Sequence, residues 1–178
     1  MKWLTGIFGG NKQMEALTAG TKAPQFDLPA MDGSRFSLQD ALGRGPVLAV
    51  FFKNSCPVCQ YALPYFERIY KAYGGKNLTV IGVSQNEQRD TAEFVRKFGI
   101  TFPVLLDDTT TFPMSNAYGL TTVPTSFWIS EDGGIEISSV SWVRQEFETL
   151  ARKAAATIGD TPVALFQPSE KIADFRAG

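Results

Sequence analysis

The apolar stretch Val47-Leu48-Ala49-Val50-Phe51-Phe52 decides the fold, together with Cys56-Pro57-Val58-Cys59, which follows after three residues. An uninterrupted apolar run of this length is typical of a strand buried on both faces. The residues from Pro57 to Tyr73 follow a helical pattern that ends at Gly74-Gly75. The only two cysteines of the chain therefore lie at a strand-to-helix junction, where thiolate chemistry is favoured.

Composition excludes several classes of function. The 178 residues carry a net charge of −1 and are 44% hydrophobic, which fits one soluble domain with an extension and gives no basic surface for nucleic acid. The chain has no histidine, so Cys-His catalysis, Ser-His catalysis and imidazole metal sites are excluded. Two cysteines cannot form a four-thiolate zinc site within one chain. We therefore expect no metal and no cofactor.

The start of the chain bears on its location. The longest apolar run has six residues, so no membrane span is expected. The first ten residues lack the continuous apolar region of about 7–15 residues that a signal peptide needs. We therefore expect a cytoplasmic protein, in which a disulfide is more often transient and catalytic than structural.

The chain divides into three parts. Residues 1–21 are Gly-rich and are expected to be flexible, although Trp3, Leu4, Ile7 and Phe8 stand at roughly helical spacing. They form either a frayed terminus or a short docking helix. Residues 22–158 carry the regular patterns of a folded domain, and residues 159–178 are expected to be an irregular tail.

Strand and helix patterns alternate through the central part. Residues 23–38 predict a β-hairpin around Asp32-Gly33. Strands over 78–83 and 104–106 flank a helix over 90–98, which implies parallel pairing. Further patterns predict a short helix over 112–118, a hairpin over 124–140 and a last helix over 144–157. The class is α/β, with a central mixed sheet flanked by helices.

The spacing of the dithiol suits disulfide exchange. At the start of a helix, free backbone N–H groups and the helix dipole favour negative charge on the Cys56 sulfur, which predicts the attacking thiolate. Pro57 suits the first helical position because its missing N–H costs nothing there. Cys59, one turn further, is expected to be covered, to have a higher pKa and to act as the resolving thiol. Otherwise the two cysteines are inert and buried, or form half of an intermolecular metal clamp.

A family resemblance extends from Ala23 to Ile137. It is carried by Phe26-Asp27-Leu28 with Asp32-Gly33, Cys56-Pro57-Val58-Cys59, Pro64 five residues after Cys59, Gly82-Val83-Ser84, Phe102-Pro103-Val104-Leu105, Tyr118-Gly119 and Val123-Pro124-Thr125. This stretch resembles the thioredoxin-fold proteins of the AhpC/TSA and TlpA/ResA-like group. The resemblance implies a thioredoxin-like domain over 22–158, with an N-terminal β-hairpin extension.

The resemblance also implies roles for two prolines. Pro124 should follow a cis peptide bond beside the dithiol, leaving the backbone of Val123 for an extended substrate. Pro64 should kink the active-site helix, unless that helix begins only after Pro64.

Three positions beside the motif bear on its chemistry. Val50 stands where thioredoxins have a buried aspartate, and Ala62 where ResA-like proteins have a glutamate, so no carboxylate base is evident. Lys53 either stabilises the thiolate by its charge or is a solvated lysine at the end of a strand.

Three functions remain. The first is thiol–disulfide exchange with a protein or small-molecule disulfide, supplied by an unidentified thiol electron donor. The alternative is a peroxiredoxin-like peroxidase of the AhpC/TSA type. In peroxiredoxins, however, the peroxidatic cysteine takes the second cysteine position and threonine the first, which Cys56 fills here. The third is a metal-binding thioredoxin-like module, in a family whose copper-handling members also use a histidine.

Overall fold

The N-terminal hairpin forms as predicted and is followed by a helix that was not predicted. The computed structural model describes residues 15–178. Strands β1 (Asp27–Pro29) and β2 (Arg35–Ser37) pair antiparallel. The pattern predicted a strand up to Leu38, but α1 (Leu38–Leu42) begins there, because the Ser37 side chain accepts a hydrogen bond from the Asp40 N–H. The helical turn thus replaces the end of the predicted strand.

The central sheet is mixed and has five strands. These are β3 (Val47–Phe52), β4 (Thr79–Ser84), β5 (Val104–Leu106), β6 (Thr125–Ile129) and β7 (Ile135–Val140), in the order β5-β4-β3-β6-β7. The first three are parallel, whereas β6 runs antiparallel to β3 and β7 antiparallel to β6. The predicted thioredoxin-like architecture is confirmed.

Helices cover the sheet, and β3 contributes to the core on both sides of it. The longer helices are α2 (Pro57–Tyr73), α3 (Gln88–Phe98) and α5 (Arg144–Thr157), and α4 (Pro113–Ala117) is short. Alternate residues of β3 belong to two separate apolar clusters, one formed with α2 and α5 and the other with the hairpin and α1. All six residues of β3 are buried, so the strand that leads into the dithiol is held rigidly.

Part of the expected flexible N-terminal segment is attached to the domain. The Leu17 N–H donates to the Tyr118 carbonyl at 3.1 Å, and the Gly20 N–H donates to the Ile135 carbonyl at 2.8 Å. The apolar residues between positions 3 and 8 lie outside the described residues. No helix within residues 15–178 is long and apolar enough to cross a membrane.

The C-terminal tail returns to the domain. Strand β9 (Phe175–Arg176) pairs antiparallel with β8 (Trp142–Val143), which directly follows β7 and precedes α5. Leu165 is buried in the cluster formed by α2 and α5. The sequence predicted an irregular tail. In the structure, residues 175–176 of this tail form a strand.

Candidate active site

The dithiol lies where β3 ends and α2 begins. Cys56 is the N-cap of α2, and its sulfur accepts a hydrogen bond from the Cys59 N–H at 3.2 Å. Pro57 occupies the first turn, as predicted. The helix thus directs one of its unpaired N–H groups at the first sulfur, which is where negative charge is stabilised.

The two thiols differ in exposure. Both cysteines are free, Cys56 is partly exposed, and Cys59 has none of its surface exposed. Burial raises the pKa of the Cys59 thiol far above its usual range, and its hydrogen bond with Cys56 raises it further. Cys59 is therefore a protonated, covered thiol at neutral pH, while Cys56 can be reached from solvent.

The loop before β6 closes over the first sulfur. The Val123-Pro124 peptide bond is cis, as the resemblance implied. The Cys56 thiol donates to the Val123 carbonyl oxygen at 3.2 Å. Pro124 is buried and Val123 partly exposed, and the Val123 N–H has no hydrogen-bond partner within residues 15–178. Both predicted substrate-binding residues therefore lie at the dithiol.

The supporting residues are placed as follows. Pro64 lies inside α2, which begins at Pro57, so the alternative of a helix that starts after Pro64 is wrong. The Lys53 carbonyl accepts the Cys56 N–H at 3.2 Å. The exposed Lys53 side chain borders a cleft of about 290 Å³ that Val123 also lines. Whether its charge acts on the thiolate stays a prediction.

The sequence of the domain matches a known family. Residues 19–138, more than half of the chain, match the AhpC/TSA family. The chain belongs to the AhpC/TSA family. Within residues 15–178, no three Cys, Asp or Glu side chains are grouped so that they could hold a metal ion.

Several proteins that resemble this chain have names that refer to thiol–disulfide chemistry. The chain is 31% identical over 122 residues to the thiol-disulfide oxidoreductase ResA of Geobacillus thermodenitrificans, covering 68% of each chain. It is 30% identical over 130 residues to ResA of Bacillus subtilis, covering 72% of this chain and 69% of that one. A solved structure assigned to the thiol:disulfide interchange protein DsbE of Chlorobium tepidum superposes with a TM-score of 0.71 at 27% identity, covering 81% of this chain and all of that one.

Among the residues that the structure describes, no acidic side chain affects the pKa of the buried thiol. Val50 and Ala62, at the two positions where related proteins are expected to carry a carboxylate, are both fully buried in the apolar cluster that contains Cys59. No carboxylate within the described part of the chain contributes to the raised pKa of Cys59. The Cys59 proton must therefore leave to water or to the substrate's thiolate.

The C-terminal tail reaches the site, which the sequence did not reveal. The Gly178 N–H donates to the Ser141 hydroxyl at 3.0 Å, and Gly178 lies against the carbonyl of Val123. The Arg176 guanidinium lies 4.0 Å from the centre of the Tyr61 ring on α2. The tail has neither an apolar alternation nor a turn signal that predicts its return.

A buried carboxylate on α2 was also missed. Glu67 is 5% exposed and accepts hydrogen bonds from the Thr101 N–H at 2.7 Å, from the Thr101 hydroxyl and from the Phe102 N–H at 3.4 Å. The sequence did contain a signal for a buried carboxylate, because Glu67 lies on the apolar stripe of the helix, between Leu63 and Tyr70. A carboxylate on such a stripe needs buried partners.

Proposed function

We propose that the protein is a thiol–disulfide oxidoreductase in which Cys56 attacks the substrate and Cys59 resolves the mixed disulfide. The observation that carries this assignment is the asymmetry of the two thiols. Cys56 is partly exposed and receives a backbone N–H from the helix, whereas Cys59 is buried and protonated. The enzyme is an oxidoreductase, as its sequence predicted and its relatives support.

The reaction proceeds in two exchange steps. The Cys56 thiolate attacks one sulfur of the substrate disulfide, the substrate S–S bond breaks, and the other substrate sulfur leaves as a thiolate that takes up a proton. Cys59 then loses its proton and attacks the Cys56 sulfur. The second substrate sulfur leaves as a thiol, so the enzyme is oxidised by two electrons while the substrate disulfide is reduced to two thiols.

The loop before β6 orients the substrate in this scheme. The Val123 carbonyl is 3.2 Å from the attacking sulfur, and the Val123 N–H is available to donate a hydrogen bond to a substrate chain alongside it. An extended substrate can pair with this backbone as an added strand does. Pro124 holds Val123 in place, and Lys53 borders the cleft beside it.

Burial of Cys59 argues against a peroxidase. A peroxidase of the AhpC/TSA type uses the second cysteine position, and here that sulfur has no exposed surface. A peroxide must reach the thiolate that it oxidises, and Cys59 is neither reachable nor ionised at neutral pH.

Two single-cysteine variants test the assignment. Cys59→Ser should accumulate a mixed disulfide between Cys56 and the substrate, because nothing resolves it, whereas Cys56→Ser should form none. Mass spectrometry of each reduced variant, mixed with a small disulfide and quenched in acid, measures the adduct. After a brief exposure to hydrogen peroxide, rapid gain of oxygen on Cys59 in Cys56→Ser would refute the oxidoreductase roles and favour the peroxidase.

The class of electron donor follows from the reaction scheme. A thiol must reduce the Cys56–Cys59 disulfide after each turnover, because the scheme leaves the enzyme oxidised. The cytoplasmic location and the identity of that thiol stay predictions.

A further inference from the structure

The C-terminal segment, defined as residues 173–178, lies along α2 and the loop before β6. The Ala173 N–H donates to the Tyr61 hydroxyl at 3.2 Å, and the Ala173 carbonyl accepts the Trp142 indole N–H at 2.6 Å. The β8–β9 pairing and the Arg176–Tyr61 contact continue this attachment towards the dithiol. The segment therefore runs from the side of α2 to the active-site loop.

Gly178 brings this segment into the immediate surroundings of Cys56. A Cβ atom built on Gly178 would lie 2.2 Å from the Val123 carbonyl oxygen and 2.9 Å from the Thr122 hydroxyl, so only glycine fits there without movement. The same Val123 oxygen accepts the Cys56 thiol at 3.2 Å. One carbonyl oxygen thus separates the segment from the attacking sulfur.

The attachment is shallow. Residues 174–178 are all exposed, and the Phe175 ring is 61% exposed instead of packed. The segment is held by a two-residue strand, a few hydrogen bonds, one exposed cation–π contact and an exposed ion pair of Asp174 with Arg144 at 3.9 Å, each of which contributes little. Contacts of this kind keep a segment in place yet allow it to be displaced.

We propose that the C-terminal segment occupies the surface on Val123 where an extended polypeptide substrate would pair, and that it makes the enzyme favour small disulfides over polypeptide disulfides. This inference rests on the proposed function, since it concerns the substrates of the same dithiol. A polypeptide that lies along Val123 has to displace Gly178, because two chains cannot both contact that carbonyl closely.

A small disulfide meets no such obstacle. The cleft of about 290 Å³ that borders Val123 is lined by Lys53, Gln85 and residues between 112 and 123. No residue of the C-terminal segment lines it. Cys56 is itself partly exposed, so a small disulfide can reach its sulfur without pairing along the Val123 backbone, while the segment stays in place.

Two substitutions are expected to displace the segment, and neither changes a cysteine. Gly178→Ala introduces the Cβ atom that collides with the Val123 backbone, and Arg176→Ala removes the contact with Tyr61. Gly43→Ala is the matched control for the first, because its new Cβ would meet its nearest atom at 3.5 Å in the turn after α1. Lys171→Ala is the control for the second, since it removes an exposed cation of the tail outside the segment.

The measurement compares two substrates that carry no net charge. One is bis(2-hydroxyethyl) disulfide, and the other is an extended peptide with a single disulfide. We expect both displacing variants to raise the rate constant for the peptide by about two- to fivefold, which corresponds to the loss of one exposed contact. The rate constant for the small disulfide should stay unchanged, and both controls should behave as the wild type.

The outcomes separate this inference from the proposed function. Unchanged or lower peptide rates in both variants would overturn the inference, because the segment would then be neutral or part of the binding surface. If the wild type reduces neither disulfide, the proposed function itself fails.

Amide hydrogen exchange gives a second readout that does not depend on rates. In the mixed disulfide of Cys59→Ser with the peptide, the amides of Ala173 and Gly178 should lose protection. In the mixed disulfide with 2-mercaptoethanol they should keep it. Retained protection in both adducts would contradict displacement.

Discussion

The two cysteines have the same chemistry and opposite environments, and this difference carries a pH dependence. Burial raises the pKa of Cys59 in the folded, reduced protein, whereas the unfolded chain titrates near the ordinary thiol value of about 8.5. Above that pH the unfolded chain releases a proton that the folded protein keeps. The contribution of Cys59 to stability is therefore complete below about pH 8 and decreases as the pH rises further.

We expect the free energy of unfolding of the reduced protein to fall above about pH 8.5, with a slope from this thiol approaching about 1.4 kcal/mol per pH unit. Denaturant unfolding under reductant measures it. The range must end near pH 10, because burial also raises the pKa of Tyr118, whose unfolded form titrates there.

A matched pair of variants isolates the thiol. Cys56→Ser keeps Cys59, while the double variant Cys56→Ser, Cys59→Ala lacks it, and the difference in slope between them belongs to Cys59 alone. Equal slopes would mean that Cys59 titrates alike in the folded and unfolded states, contrary to its burial.

At the residue scale, the sequence predicted those site positions whose chemistry is local or belongs to a known motif. Cys56, Cys59 and Pro57 follow from the helix start, and the cis bond before Pro124 followed from the family resemblance. Gly178 could not be predicted, because its role depends on a contact with Val123 across more than fifty residues of chain. A glycine in a polar tail carries no local sign of such a contact.

Among the helices, α2 must stay fixed because it carries both cysteines. Its buried Glu67 joins it to the segment that precedes β5, through the N–H groups of Thr101 and Phe102. We expect Glu67→Ala to lower the free energy of unfolding by about 1–3 kcal/mol, because the buried Phe102 N–H and the partly buried Thr101 N–H lose their acceptor. Thermal or denaturant unfolding measures this loss.

Two comparisons make that expectation specific. Glu67→Gln keeps a carbonyl acceptor, so its loss should be smaller. Glu93→Ala on α3 removes only an exposed carboxylate 3.6 Å from Arg89 and should cost less than about 0.5 kcal/mol. If Glu67→Ala cost no more than Glu93→Ala, the hydrogen bonds of Glu67 would not be what fixes α2.

The strands and helices that were predicted correctly are those with a clear pattern of apolar residues or a clear end signal. Strand β3 is a continuous apolar run, and α2 ends at a glycine pair, so both were predicted at or within one residue of their observed bounds. Helix α1 was missed because five residues are too few to show a helical period, and Phe36 and Leu38 also fit a strand alternation. The cap formed by Ser37 decides between them in the folded chain.

At the scale of the whole molecule, the thioredoxin-like domain was predicted from the sequence, but the pairing of the C-terminal tail with that domain was not. The parallel pairing of β4 with β5 and the hairpin of β6 with β7 were predicted from the pattern of strands and helices, but β9 pairs with β8 only because the chain from Leu165 onward is attached to α2 and α5. A two-residue strand is specified by such contacts and has no signal of its own. The sequence therefore predicted the elements that have a local pattern, and it did not predict β9, which depends on contacts with distant residues.

One ion pair contributes to the attachment of the tail to the domain. The Arg68 guanidinium on α2 donates to both carboxylate oxygens of Glu170, at 2.8 and 2.5 Å, and also to the Leu165 carbonyl at 2.9 Å. The hydrogen bonds from Arg68 to the carboxylate, with one from the Gln167 N–H, lower the pKa of Glu170 to about 2. Because the folded-state pKa is depressed, the attachment is complete above the unfolded value of about 4.3 and weakens as the pH falls towards 2.

We expect the amides of the C-terminal segment, residues 173–178, to lose hydrogen-exchange protection between about pH 4 and pH 2, before the central sheet does. Glu170→Gln should reduce that protection already at neutral pH and remove its acid dependence, since a neutral amide cannot replace the charged pair with Arg68. Glu131→Gln, an exposed position in the turn before β7, is the control and should change neither. Simultaneous loss of protection in β3 and the segment would show global unfolding instead.

Because the segment covers Val123, its release in Glu170→Gln should also raise the rate constant for reduction of a peptide disulfide. One carboxylate far along the chain would then control access to the dithiol.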